Sequence, residues 1–68
     1  MITDNVGKRI RELRNAKELS QEKLALKADI DRTYLAGVEQ GKRNLSIKSL
    51  EKIIIALETD FRTFFEEM

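Results

Sequence analysis

A compact, all-α fold of five short helices is predicted by three features of this 68-residue sequence. Apolar residues recur at three- and four-residue spacing in segment after segment, as they do on helices with one buried stripe. Ser, Thr and Asp, which favour helix starts, stand just ahead of those segments. Proline is absent, so helices can run uninterrupted between short turns.

The first helix is expected to start near Thr3 or Asp4, either of which can cap its free N–H groups. Val6, Ile10 and Leu13 then follow at i, i+4 and i+7 and give one apolar stripe. Lys8, Arg9, Arg11, Glu12 and Arg14 fall on the other faces. Lys17-Glu18 ends the helix, and Leu19 is expected to plug the core from the linker. Ser20 is a good N-cap for a second helix from Gln21 to about Ala28, with Leu24, Ala25 and Ala28 facing inward. Small residues at 25 and 28 let another helix approach closely. Asp29-Ile30-Asp31 reads as a turn, with Ile30 tucked inward and Asp31 capping a third helix over Arg32–Gln40. Gly41 is the glycine expected after a helix end, and Gly41 to Leu45 is a basic loop. Ser46 opens a fourth helix whose stripe is Ile47, Leu50, Ile53, Ile54 and Leu57. Ile55 lies off the centre of that stripe and is expected to be exposed in a monomer. A short fifth helix follows Thr59-Asp60 and includes Phe61, Phe64 and Phe65. With no repeat, low-complexity tract, linker or separate effector domain, residues 1–68 read as one domain. A core of this size is marginal, so stability is expected to depend partly on a partner chain.

Composition narrows the function classes. There is no Cys, His, Trp or Pro. A disulfide framework, a Cys/His zinc site and the usual general base are therefore all excluded. No glycine-rich phosphate loop is present, and no pair of carboxylates falls in a predicted pocket. Glu66-Glu67 sit on a terminal helix with no partner. A non-enzyme is expected, with no cofactor, metal or small-molecule ligand. The longest apolar run is Ile53-Ile54-Ile55-Ala56-Leu57, far short of the roughly 20 residues that span a membrane. The N-terminus has no basic segment followed by an apolar one. A cytoplasmic protein is expected, associated with the nucleoid when bound.

Net charge is only +1, but its distribution is uneven. Residues 8–48 hold eleven Lys/Arg against six Asp/Glu, a local +5, while residues 49–68 hold two against five, a local −3. A basic front and an acidic back orient a protein on a polyanion; the plainer alternative is a solvated mixed surface.

Residues 18–46 decide between them. A short helix, a three-residue turn and a second helix form a helix-turn-helix. At 100° per residue, positions 32, 33, 36, 37 and 40 fall within an arc of about 140°. That outer face is Arg32, Thr33, Ala36, Gly37 and Gln40, with Tyr34, Leu35 and Val38 on the opposite arc. A plain helical bundle has no need for a small and polar outer face followed by a basic loop. The arrangement suits one helix laid in the DNA major groove and braced by another.

The stretch Leu19-Ser20-Gln21-Glu22-Lys23-Leu24-Ala25, followed by Tyr34 to Asn44, resembles the lambda-repressor-like (Cro/repressor, xenobiotic-response-element) DNA-binding family over essentially the whole chain. Asp31 to Glu39 and Arg43 to Glu51 further resemble the controller proteins of restriction–modification systems. The resemblance implies a homodimeric regulator on a pseudo-palindromic double-stranded operator, controlling its own gene and the timing of endonuclease expression. A phage-type repressor and an antitoxin are the alternatives. RNA polymerase is a candidate partner, through Glu18, Glu22 or Asp29. Controllers often carry Ser where this chain has Ala36, so a hydrogen bond offered there is replaced by a small apolar contact.

Roles follow residue by residue. Arg32 suits either two hydrogen bonds to guanine or a phosphate anchor, and Thr33 a base edge or a thymine methyl. Ala36 and Gly37 keep the helix surface low so that the backbone approaches the bases, although close helix packing explains Gly37 equally well. Gln40, Lys42, Arg43 and Asn44 are candidate phosphate contacts, Gln40 being as well read as a solvated helix end. Ser46 either joins them while capping the fourth helix or acts as a cap alone. Tyr34 is read with its ring at the core edge and its hydroxyl toward a phosphate. By resemblance, Gln21 binds phosphate at the start of the second helix, and Arg14 pairs with Glu39 to pin the third helix to the first. Ile55, Phe61, Phe64 and Phe65 are too much apolar surface for the end of so short a chain; the resemblance places a two-fold dimer interface there, within residues 47–68, and the alternative is ordinary packing within one chain, expected in part of Phe61.

Overall fold

The computed structural model describes residues 2–66 and is all-helical over them. Five helices follow in order: α1 (Ile2–Ala16), α2 (Gln21–Ala28), α3 (Arg32–Glu39), α4 (Ile47–Ala56) and α5 (Phe61–Phe65). Helix α1 packs on α3, α2 on both α3 and α4, and α4 on α5. The expectations that touch Glu67 and the end of the 47–68 segment lie outside the described residues.

Side-chain oxygens start four of the helices. Ser20 accepts the Lys23 N–H at 3.1 Å, and Asp31 accepts the Thr33 N–H at 2.7 Å. Ser46 accepts the Ser49 N–H at 3.0 Å, and Asp60 the Thr63 N–H at 2.7 Å. Each satisfies a first-turn donor that has no partner within its helix. Helix α1 departs from expectation. It begins at Ile2, so Thr3 and Asp4 lie inside its first turn and not ahead of it. Asp4 there complements the positive end of the helix dipole instead.

Four helix ends close in one way. The N–H of Leu19, Ile30, Lys42 and Thr59 each returns to a carbonyl five residues back, on Arg14, Ala25, Gly37 and Ile54. That closure needs a left-handed residue just before the returning N–H. Gly41 supplies it at φ 76°; Glu18, Asp29 and Glu58 supply the other three at φ 57–58°. Helix α3 ends at Glu39, one residue short of expectation, and Gln40 is its cap.

The core gathers Ile10 from α1, Leu24 from α2, Leu35 and Val38 from α3, Ile53 and Ile54 from α4, and Phe64 from α5. Leu13, Leu19 and Ile30 pack partly buried against it. Ile47 does not join its expected stripe and is 76 % exposed. It is the first residue of α4 and lies beyond the core's edge, which Leu50 is the first α4 residue to reach. Ile55 is exposed, as its position off the stripe implied.

Candidate nucleic-acid interface

The core fixes which way α3 faces. Leu35, Val38 and Glu39 point inward, so Arg32, Thr33 and Gln40 stand exposed, with Ala36 and Gly37 half-buried between them. The Arg32 and Thr33 side chains enter no hydrogen bond or ion pair among the described residues. The two acids of this segment are already occupied. Asp31 caps α3, and Glu39 turns inward. The outer face of α3 therefore carries a cation at its start and no acid along its length.

Glu39 is the hub of the brace behind that face. Its side chain is 2 % exposed and accepts three hydrogen bonds. Arg14 donates from Nε at 2.8 Å and Nη2 at 3.0 Å, and Gln21 donates from Nε2 at 3.1 Å. Arg14 Nη1 also donates to the Leu19 carbonyl at 2.8 Å. A fork of two parallel bonds to one carboxylate fixes orientation as well as distance. The same brace draws in Gln21 at the first turn of α2, whose amide has a second N–H beyond the one given to Glu39.

Gly7 makes this brace close. A side-chain carbon there would collide with the Val38 and Glu39 carbonyl oxygens, so only glycine lets α1 lie against the end of α3. At Gly41, space and conformation agree: its φ of 76° suits glycine, and the Asp4 carboxylate crowds the place of any Cβ.

The basic loop is folded back onto α3. Tyr34 donates its hydroxyl proton to the Asn44 carbonyl at 3.1 Å, so that hydroxyl latches the loop instead of pointing free toward a phosphate. The Arg43 guanidinium carbon lies 5.6 Å from the centre of the Tyr34 ring, and the Arg43 stem crosses Gly37 where a Cβ would sit. The close packing expected at Gly37 is therefore with the Arg43 side chain of the loop and not with another helix. Lys42, Arg43, Asn44 and Ser46 are all exposed on this edge. Ser46 caps α4 and also donates to the Ser49 hydroxyl at 3.0 Å.

A family model for the helix-turn-helix matches residues 10–64. The chain belongs to the helix-turn-helix family. Within it, the chain is 41 % identical over 63 residues to the control protein C.MunI of a Mycoplasma species, covering 91 % of this chain and 85 % of that one. It is 43 % identical over 61 residues to the control protein C.BamHI of Bacillus amyloliquefaciens, covering 82 % and 75 %. The fold superposes with a TM-score of 0.93, at 44 % identity over 97 % of this chain and 87 % of the other, on the restriction–modification controller C.Esp1396I, solved as a tetramer in complex with its natural 35 base-pair operator. The helix-turn-helix of this chain is thus α2, the turn Asp29–Asp31, and α3.

The apolar residues read as an interface lie on α4 and α5. Ile55 (67 %), Phe61 (41 %) and Phe65 (38 %) are exposed. Phe64 is not: it is wholly buried in this chain's own core and offers a partner no surface. Its ring meets that of Phe65 edge-on, with centroids 4.9 Å apart. Two carboxylates hold the corner leading into α5. Glu58 accepts from the Lys27 ammonium at 3.1 Å, which lowers its pKa below the usual 4.5. Asp60 is lowered from 3.8 by the backbone N–H of Thr63.

Three of these contacts escape sequence reading. Glycine inside a helix costs stability, so Gly7 was a usable sign of close approach. The bond from Gln21 to Glu39 joins residues 18 apart, and the contact of Arg9 with Phe64 joins residues 55 apart. Neither leaves a local pattern.

Proposed function

We propose that this chain is a sequence-specific transcriptional regulator of the restriction–modification controller type, binding double-stranded operator DNA as a homodimer. The observation that carries the reading is the outer face of α3: Arg32 and Thr33 free at its start, small Ala36 and Gly37 behind them, and no acid in between. A recognition helix reads base edges from its N-terminal residues. Lys42, Arg43 and Asn44 flank it where phosphates run, with Gln21 and Gln40 as further phosphate contacts; such groups set register and affinity more than sequence preference. Similarity to control proteins over most of both lengths supports the controller role over a phage repressor or an antitoxin.

Homodimer formation is supported by Ile55, Phe61 and Phe65, an apolar set on α4 and α5 that one copy leaves exposed. A two-fold pair presents two α3 helices to half-sites about one DNA turn apart. For C.Esp1396I, a complex with a 19 base-pair duplex is also known. That length is just under two turns, room enough for two half-sites one turn apart. The regulator works in the cytoplasm, on its own gene and on that of the endonuclease. For activation we assign the exposed acids Glu18, Glu22 and Asp29 as the surface offered to RNA polymerase. Alanine at these positions is expected to abolish activation and leave DNA binding intact; equal loss of both would sink the assignment.

The test of the whole reading is selection of bound sites from random duplex DNA. A pseudo-palindrome with half-sites about one turn apart is the expected product. No enrichment over background would overturn it.

A further inference from the structure

Helix α5 is too short to hold its own conformation, and two anchors fix it. Phe64 is an apolar peg, wholly buried in the core. Arg9 is a polar clamp reaching over from α1. Its Nε donates to the Phe64 carbonyl at 2.7 Å, its Nη2 to the Thr63 carbonyl at 3.0 Å, and its Nη1 to the Glu12 carboxylate at 3.2 Å. The side chain is only 12 % exposed. The two carbonyls belong to the last turn of α5, where helix carbonyls run short of intrahelical donors; Thr63 keeps only a long bond from the Glu66 N–H at 3.3 Å beside the one from Arg9. A peg alone leaves a short helix free to turn about the buried ring. The clamp removes that freedom, and with it fixes the direction of Phe61 and Phe65.

Helix α1 also holds α3. Arg14 grips Glu39, and Gly7 lies against the last carbonyls of α3. Arg9 and Arg14 are about 7.5 Å apart along one uninterrupted helix. The reading helix and the apolar end are thus tied to the same rigid strut.

We propose that Arg9 is a positioning residue that sets the angle of α5, and through it both the affinity of two copies for each other and the spacing of the two α3 helices they present to DNA. This rests on the homodimer proposed above. In that dimer α5 meets the partner and α3 meets the groove, so an error at the Arg9 clamp is carried to both.

The test compares wild type, Arg9→Met, Arg9→Lys and Phe65→Ala by sedimentation equilibrium, with circular dichroism at a dilution where all are monomeric. Methionine keeps the stem and removes every donor. It is expected to weaken the dimer by about tenfold or more while helix content at dilution is retained. Lysine, which keeps the charge and a donor, is expected to fall between. The second readout is binding to the selected operator and to versions with one base pair added or removed between the half-sites, at protein concentrations that saturate the dimer. Wild type is expected to reject the altered spacings, and Arg9→Met to tolerate them. A spacing preference is not moved by a residue that only stabilises the fold. If Phe65→Ala breaks the dimer but Arg9→Met changes neither its affinity nor its spacing preference, the strut is wrong and the homodimer stands. If wild type stays monomeric at every concentration, or dimerises regardless of Phe65 and Arg9, the proposed interface falls and the strut with it. Should Arg9→Met lose its helix signal at dilution, Arg9→Lys decides: an intermediate dimer affinity supports the role and a wild-type value overturns it.

Discussion

Glu39→Ala tests how α3 is held in place. The Glu39 side chain is 2 % exposed and that of Arg14 11 %. Removing the carboxylate takes away three of its hydrogen bonds and leaves Arg14 with the Leu19 carbonyl alone. Breaking a buried pair from one side costs about 3–5 kcal/mol, because the surviving charge stays desolvated. At about 0.05–0.15 kcal/mol per residue, a domain of 68 residues holds roughly 3–10 kcal/mol in all. The substitution therefore removes from about a third to all of the stability. At about 4–8 °C per kcal/mol, the melting temperature falls by at least about 12 °C. The paired variant Arg14→Met/Glu39→Leu removes both charges and fills their space with apolar side chains. It is expected to recover most of the loss. The measurement is urea unfolding followed by circular dichroism at one fixed protein concentration, so that any dimer contributes equally throughout. A loss under about 1 kcal/mol for Glu39→Ala would mean that the pair behaves as an exposed one. A double variant no more stable than the single would mean that the cost lies in packing. Either result refutes the reasoning.

Three further outcomes are expected. Arg32→Ala should cost roughly 1–3 kcal/mol of DNA affinity and relax base preference at one position per half-site, whereas Lys42→Ala should weaken all sequences alike and reduce the salt slope by about 1; a uniform loss for Arg32→Ala would make Arg32 a phosphate anchor. Glu18→Gly relieves a left-handed residue at φ 57° and should raise stability by about 0.5–1 kcal/mol, since the strain released exceeds the added unfolded-state freedom, whereas Glu58→Gly also removes the pair with Lys27 and should gain less; a lower melting temperature for Glu18→Gly would show that its side chain matters more than the backbone. Asp60 and Glu58 have folded pKa values below 3.8 and 4.5, so the stability they lend is complete above those ordinary values and is lost as pH falls through the folded ones. Acid should therefore loosen the α4–α5 corner, and Asp60→Asn, which keeps an acceptor for Thr63 but does not titrate, should flatten that dependence in melts across pH; an unchanged slope assigns the acid sensitivity to other carboxylates.

What was legible in the sequence was what local chemistry decides. Ser20, Asp31, Ser46 and Asp60 cap because a free N–H two or three residues on must be met. The inward Leu24, Leu35 and Ile53 follow from helical period alone. Position within an element was less legible. Ile47 has the right period but lies one turn before the core begins, and Phe64 looked like interface until the packing of α5 showed it to be core. Periodicity gives a direction, not a depth. Three left-handed helix ends fell on Glu and Asp, residues that carry no signal of that conformation as strong as glycine's.

Charge was the least legible property, because a count cannot separate a clamp from a contact. Of the eleven Lys/Arg in residues 8–48, Arg9 and Arg14 are turned inward to hold α5 and α3. Of the six acids, Glu39 is buried in the same brace. The chain's most specific electrostatic interactions are therefore internal ones, and they would contribute little to counterion release. Of the nine Lys/Arg that remain, Arg32, Lys42 and Arg43 lie on α3 and the loop behind it, where Asp31 is engaged as a cap and Glu39 is buried. A protein with net charge +1 needs no large field to find DNA if its acids are removed from the one surface that meets it. On this reasoning the salt dependence of binding comes from a few residues around α3, and neutralising lysines away from that face, such as Lys27 in its pair with Glu58, should leave it unchanged.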